Sequence, residues 1–149
     1  MDVMDLFSRM ESHAMTLGVF DRVNTHEVID APGKGYTAAI WVDRIQPVLS
    51  SGLNSTSARV AFNVRLYTPL EMSPLDSVDP QLLANTDLLM SAYSGDFTLD
   101  GTVREVDLLG EFGPGLEAQA GYINVGGTMF RVMTLTVPVI VNDVWDQEE

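Results

Sequence analysis

The sequence predicts an α+β fold: a mainly antiparallel sheet of about five strands with two helices packed on one face, in the order α-β-β-α-β-β-β. Three observations carry that prediction. Two stretches place apolar residues at helical spacing, one at the start of the chain and one past its middle. Several others alternate with a period of two, or are apolar on both sides. The strand-like stretches pair across turns and loops, which makes neighbouring strands antiparallel. The 149 residues suit a single domain, 1–149, large enough to bury a sizeable core without covalent staples.

Residues 2–17 read as the first helix, because Val3, Leu6, Phe7, Met10, Ala14 and Leu17 fall on one stripe. Asp2 and Asp5 stand where the helix dipole favours anions. Gly18 suits the position just past the last turn. Residues 19–29 are ambiguous, at most a short extended segment, and 30–35, DAPGKG, are turn material. Residues 36–48 form a strand with apolar residues on both faces; Pro47 ends it or puts it at an edge. Residues 49–57 are a flexible loop, longer than common hairpin connections and of the kind that is functional or mobile. Residues 58–67 are the clearest strand. Ala58, Val60, Phe62, Val64 and Leu66 point to a core. Arg59, Asn63, Arg65 and Tyr67 point to water or a polar partner, with only Ala61 apolar among them.

After a proline-bearing connector, 68–77, the second helix is expected to begin with Asp79 as N-cap and Pro80 at the first helical position. Val78 then staples to Leu83. Leu82, Leu83, Thr86, Leu89, Met90 and Tyr93 form its buried stripe, and Ser94-Gly95 stop it. Residues 102–110 read as a third strand. Residues 116–124 and 128–142 make the final hairpin, joined at VGG, which supplies the positive φ of a tight turn.

That last strand is far longer than the usual ~5–6 residues. Met129, Met133, Leu135 and Val137 face one way, Thr134 and Thr136 the other. Phe130 and Val132 add a second apolar face at its start. Beyond Pro138, which implies an edge, bend or bulge, Val139, Ile140 and Val141 are apolar on both sides. The middle is therefore expected to serve the core, and one or both ends to serve neighbouring subunits. On this reading Ile140→Asp impairs assembly more than folding.

Charge narrows the function classes. There are 21 Asp and Glu against 8 Lys and Arg, a net of −13, and Lys34 is the single lysine. Such a surface repels phosphate and excludes the basic patch that DNA binding needs. Solubility is the plain explanation; the sharper one is a protein that sits beside nucleic acid and lets it slide past. With no cysteine there is no disulfide framework and no thiolate site, which fits a reducing compartment or a particle assembled in one. The N-terminus lacks a basic leader and a continuous apolar segment, and no run approaches the ~18 apolar residues of a membrane helix. Synthesis in the cytoplasm without a membrane partner is expected.

No catalytic constellation emerges. His13 and His26 match no metal-binding spacing and read as surface residues, and Gly-Lys-Gly in APGKGYT lacks the P-loop spacing. There is no G-x-S-x-G elbow. Asp76 with Asp79, or Glu105 with Asp107, are carboxylate pairs of the type used in acid–base work. Asp79, however, is accounted for as a cap, and Glu105 and Asp107 share a strand face that is solvated or at an interface. The expectation is no enzyme, no metal and no cofactor. The arginines read differently. Arg59 and Arg65 lie on the outward face of the clearest strand and Arg131 in the long one. They suit carboxylates on the same chain or on a neighbouring subunit, where the planar guanidinium bonds bidentately.

Four stretches, FDRVNTHEVIDAPGKGYTAAIWVDRIQPV, TSARVAFNVRLYTP, LLMSAYSGDFTLDGTVREVDLLG and QAGYINVGGTMFRVMTLTVPVIVNDVW, together resemble the small tail terminator proteins of long-tailed (siphovirus-type) phages of actinobacteria. The resemblance runs from about Leu17 to Trp145 and rests on overall similarity and element order, not on a short motif. It implies an α+β fold with helices on one side of a sheet. It also implies a virion protein forming a hexameric ring on the head-proximal end of the tail tube. That ring stops tube polymerisation, offers a surface to the head-completion or connector proteins, and lets DNA pass through its lumen. No catalytic residues are carried over. The residues expected at subunit or tube contacts are Arg59, Arg65, Phe130, Arg131, Val132, Val139, Ile140 and Trp145. The loops at 30–35 and 49–57 are expected to order on docking. Two alternatives stand beside this reading. One is another neck or tail-completion protein of the same particle. The other is a small acidic enzyme or ligand-binding domain, which would be a monomer or dimer with a polar-lined pocket.

Overall fold

The computed structural model describes residues 1–28, 35–48, 55–70, 75–96, 98–99, 101, 103–110 and 113–146. Among these, the elements run α1 (Val3–Thr16), β1 (Arg22–Asn24), β2 (Thr37–Val48), β3 (Ser55–Pro69), α2 (Leu75–Gly95), β4 (Glu105–Val106), β5 (Glu117–Val125) and β6 (Thr128–Asp146). The fold is α+β, as expected. One six-stranded sheet has the order β1-β2-β3-β6-β4, with β5 also paired to β6. All pairings are antiparallel except that of β1, which lies parallel to β2. This strand occupies the stretch whose sequence was ambiguous. The segments 30–34 and 49–54, read as loops that order on docking, lie outside the described residues. Residues 55–57 belong to β3.

α1 forms where its apolar stripe and cap coincide. The Asp2 carboxylate accepts a hydrogen bond from the Asp5 backbone N–H at 3.0 Å, closing one of the open donors of the first turn. Leu6, Met10 and Ala14 are buried, whereas Val3 is half exposed. α2 departs from its expected start. It begins at Leu75, so Asp79 and Pro80 lie inside the helix and not at its cap. Val78 is buried and Leu83 is 62% exposed, so no staple joins them. The buried stripe is Val78, Leu82, Asn85, Thr86, Leu89 and Tyr93. Proline inside a helix removes one backbone hydrogen bond. The sequence signal for a cap was real in type, but the apolar Val78 drew the helix back by a turn.

The two helices share one face of the sheet with the main core: Leu6 and Met10 from α1, Leu82, Leu89 and Tyr93 from α2, Phe62 and Val64 from β3, and Leu135 and Val137 from β6. Phe7 meets Phe62 edge-on at 5.3 Å. The Tyr93 hydroxyl donates to the Met10 carbonyl at 3.0 Å, tying the helices together. Burial pushes the Tyr93 hydroxyl far above the ordinary tyrosine range. His13 is not a bare surface residue: it contacts Asp96 at 3.0 Å and meets the Tyr93 ring edge-on.

The length of β6 follows from its neighbours. Its 19 residues face β3 along one side, from Pro69↔Phe130 to Ser55↔Asp146. Two strands share the other side in tandem: β5 covers Thr128 to Thr136, and β4 covers Val139 and Ile140. β6 is the spine on which every element after α2 is registered. Gly126 and Gly127, both at positive φ, make the tight turn that launches it. The expected strand over 102–110 is pared down to Glu105–Val106. From there the chain bends away, with Asp107 donating its N–H to the Pro138 carbonyl.

Candidate functional site

Register assigns side chains to the two faces. Phe62, Val64, Leu135 and Val137 are in the core beneath the helices, so Arg59, Ala61, Asn63, Arg65 and Tyr67 of β3 occupy the other face, along with Phe130, Val132, Thr134, Thr136 and Ile140 of β6. This outer face is not simply solvated, as its alternation implied. It has two buried ends and a polar middle. At one end Tyr67, Phe130 and Val132 form a second apolar cluster with Ala39 and Val125, and Val28 and Trp41 pack against it. Tyr67 and Phe130 meet edge-on at 6.1 Å. Burial raises the Tyr67 hydroxyl above its ordinary pKa, with Arg65 opposing.

At the other end Arg59 is 3% exposed. Its guanidinium donates to the Pro114 carbonyl. The turn crosses it so closely that a Cβ at Gly113 would stand 3.0 Å from the guanidinium carbon. Any larger residue there would have to push the guanidinium aside, which favours glycine. Ile140, which pairs with Arg59 on one side and Glu105 on the other, is fully buried.

Between these ends lies a polar band. Arg65 donates through Nε to Thr134 Oγ1 at 2.9 Å and places its guanidinium 5.1 Å from the Trp41 ring centre. Its nearest carboxylate, Glu27, is 3.9 Å away. Two cross-strand rows make up the band: Ala39, Arg65, Thr134 and Gln119, then Trp41, Asn63, Thr136 and Glu117.

On the helix face, Arg131 is held by its own chain. Its Nε and Nη2 bond the Asp79 carboxylate at 2.9 and 3.3 Å, and its Nη1 donates to the Gly121 carbonyl at 3.1 Å. The guanidinium lies 4.4 Å from the Tyr122 ring centre. Beside this fork, a groove of about 420 Å³ opens between α2 and the β5–β6 hairpin, lined by Pro80, Leu82, Leu83, Ala120 and Met133. The groove is not legible in the sequence, where Leu83 falls on the expected core stripe and Asp79 in a cap position.

The hydrogen bonds from Arg131 hold the Asp79 carboxyl below its ordinary pKa. A lowered folded-state pKa contributes stability above the ordinary carboxylate value of ~4, and that contribution is lost as pH falls through the folded value. Arg131→Gln is therefore expected to lower the melting temperature slightly near neutral pH, and the difference should shrink as pH falls below the ordinary carboxylate range. Thermal unfolding followed by circular dichroism across that range checks it. A difference that persists in acid would assign the effect to the Tyr122 and Gly121 contacts instead.

Of the residues expected at contacts with other subunits or the tube, Arg59, Phe130, Val132, Val139 and Ile140 are each less than 5% exposed within the single chain. Their side chains are covered by their own chain. Arg65 and Arg131 have side chains 19% and 16% exposed, and Trp145, near the end of β6, is 42% exposed. Asp107, expected on a solvated strand face, is 2% exposed.

No family model and no curated protein matches the sequence. Among solved structures, the chain is similar to a sheath/tube terminator of an extracellular contractile injection system in its extended state, determined by cryo-electron microscopy. The identity is 13% and the TM-score 0.49. The match covers all of this chain and 61% of that one.

Proposed function

We propose that this chain is a structural assembly protein, a tail terminator that forms a ring on the head-proximal end of a tail tube. The ring stops tube growth and presents a docking surface to the head-completion proteins. The observation that supports this reading is the agreement between fold and resemblance. The stretches that resemble the terminators lie along β1–β2, β3, α2–β4 and β5–β6, and the two helices lie on one side of the sheet. The net charge of −13 suits a ring whose lumen passes DNA without gripping it.

The chemistry of the surfaces fits assembly better than catalysis. The groove beside α2 is apolar, and the charged pair at its rim is mutually satisfied. Mass measurement by light scattering tests the reading. A ring-sized oligomer, alone or on addition of tube protein, is the expected result. A chain that stays monomeric under both conditions would favour a small ligand-binding domain instead.

A further inference from the structure

The sheet has two open lateral edges whose side chains complement each other. β1 covers β2 only at Thr37 to Ala39, so Ile40 to Val48 have β3 as their one strand partner among the described residues. Along this edge Val42 and Ile45 are 42% and 48% exposed. Their register with Phe62 and Val60 places them on the helix face. Arg44, opposite Ala61, lies on the outer face, where it is exposed and makes no ion pair among the described residues.

The opposite edge is β5, which among the described residues pairs only with β6. On its helix face lies the apolar groove, with Leu83 62% exposed at its mouth. On its outer face Glu117, in register with Thr136, is exposed. Apolar side chains on one edge thus match an apolar groove on the other, on the same face. An exposed cation matches an exposed anion on the opposite face.

We propose that these edges join two copies of this chain side by side: Val42 and Ile45 of one copy seat in the groove between α2 and the β5–β6 hairpin of the next, and Arg44 of the first faces Glu117 of the second. β2 and β5 flank β3 and β6, three strand spacings or ~14 Å apart, so the two patches of one molecule cannot meet each other. Two different patches on opposite sides make a heterologous contact, the type that closes into rings or runs on as filaments. A second copy is the fitting occupant because both matches, apolar and ionic, lie within one chain. At a net charge of −13, copies approach only where a local cation meets an acid. The register shift between Val42 and Arg44, together with Pro47, interrupts the hydrogen-bonding pattern of this edge. The contact is therefore made by side chains and not by a continued sheet.

This inference rests on the ring reading, and the test separates the two. The chain contains no cysteine, so Ile45→Cys and Leu83→Cys introduce unique thiols at exposed positions. Treated with a short bis-maleimide, a mixture of the two single variants should give a covalent dimer. Each variant alone should give none, and the double variant should give a ladder of covalent oligomers. Arg44→Glu should weaken association about tenfold, and adding Glu117→Arg to the same chain should restore it. If light scattering shows oligomers but the mixture does not cross-link, or each single variant cross-links to itself, this contact is wrong while the ring reading stands. A chain that never associates overturns both.

Discussion

Ile140→Asp is expected to unfold the chain, not merely to loosen an assembly. Ile140 has no exposed surface. It sits between Arg59 of β3 and Glu105 of β4 in the register of the sheet. The segment around Glu105 is fastened across it, with the Arg104 N–H donating to the Ile140 carbonyl at 2.7 Å. An aspartate there must lose its hydration and would face Glu105 across the ladder. Arg59 is the cation in register with it, and that guanidinium is already engaged by Pro114, while the Arg104 guanidinium is held by Asn142 and Ser57. Burying an unpaired carboxylate belongs to the severe class of substitutions, about 4 kcal/mol or more. Urea unfolding should show a midpoint collapsed toward zero denaturant. A variant with near-native stability would mean that the segment carrying β4 does not cover Ile140 in solution. Trp145, 42% exposed near the end of the same strand, is the contrast: Trp145→Asp should leave the fold standing.

That reversal shows where the sequence was legible and where it was not. Local patterns were read well: the first helix, both long hairpin partners and the glycine turn at 126–127 appear with small shifts in their bounds. The apolar character of both faces of β6 was also visible. What covers the second face was not. Ile140 looked like a surface for neighbours because nothing local marks residues 103–110 and 113–116 as a cover. The cover depends on a long-range ladder between Glu105 and Ile140 and on Pro114 reaching Arg59. Asp79 failed for a related reason. Asp-Pro ahead of an apolar run is a sound cap signal, but burial of Val78 extends the helix and releases Asp79 to pair with Arg131. The apolar groove was not legible either, since Leu82 and Leu83 stand side by side in the sequence and only Leu82 turns into the core. The arginines were expected to meet carboxylates: Arg131 does so through Asp79, whereas Arg59 donates to the Pro114 carbonyl and Arg65 to the Thr134 hydroxyl, with Glu27 3.9 Å away. Whether a partner lay within the chain was a question of tertiary placement, which residue type alone does not answer.

The second large effect concerns the particle. If the chain caps a growing tube, its loss removes the stop signal while leaving tube subunits intact, so polymerisation continues past its normal end. The surface that joins tail to head is lost at the same step. Variants that keep the fold but break the edge contact, such as Arg44→Glu, should produce the same defect in weaker form, because the exposed β2 edge carries no core burden. Core variants such as Ile140→Asp should reproduce the full loss by removing the folded protein altogether.

The most direct measurement is the distribution of tail lengths, by electron microscopy, in particles assembled from the encoding genome with and without this reading frame. Overlong tails that fail to join heads, corrected by supplying the chain in trans, are the predicted result. Tails of normal length attached to heads in its absence would contradict the terminator account.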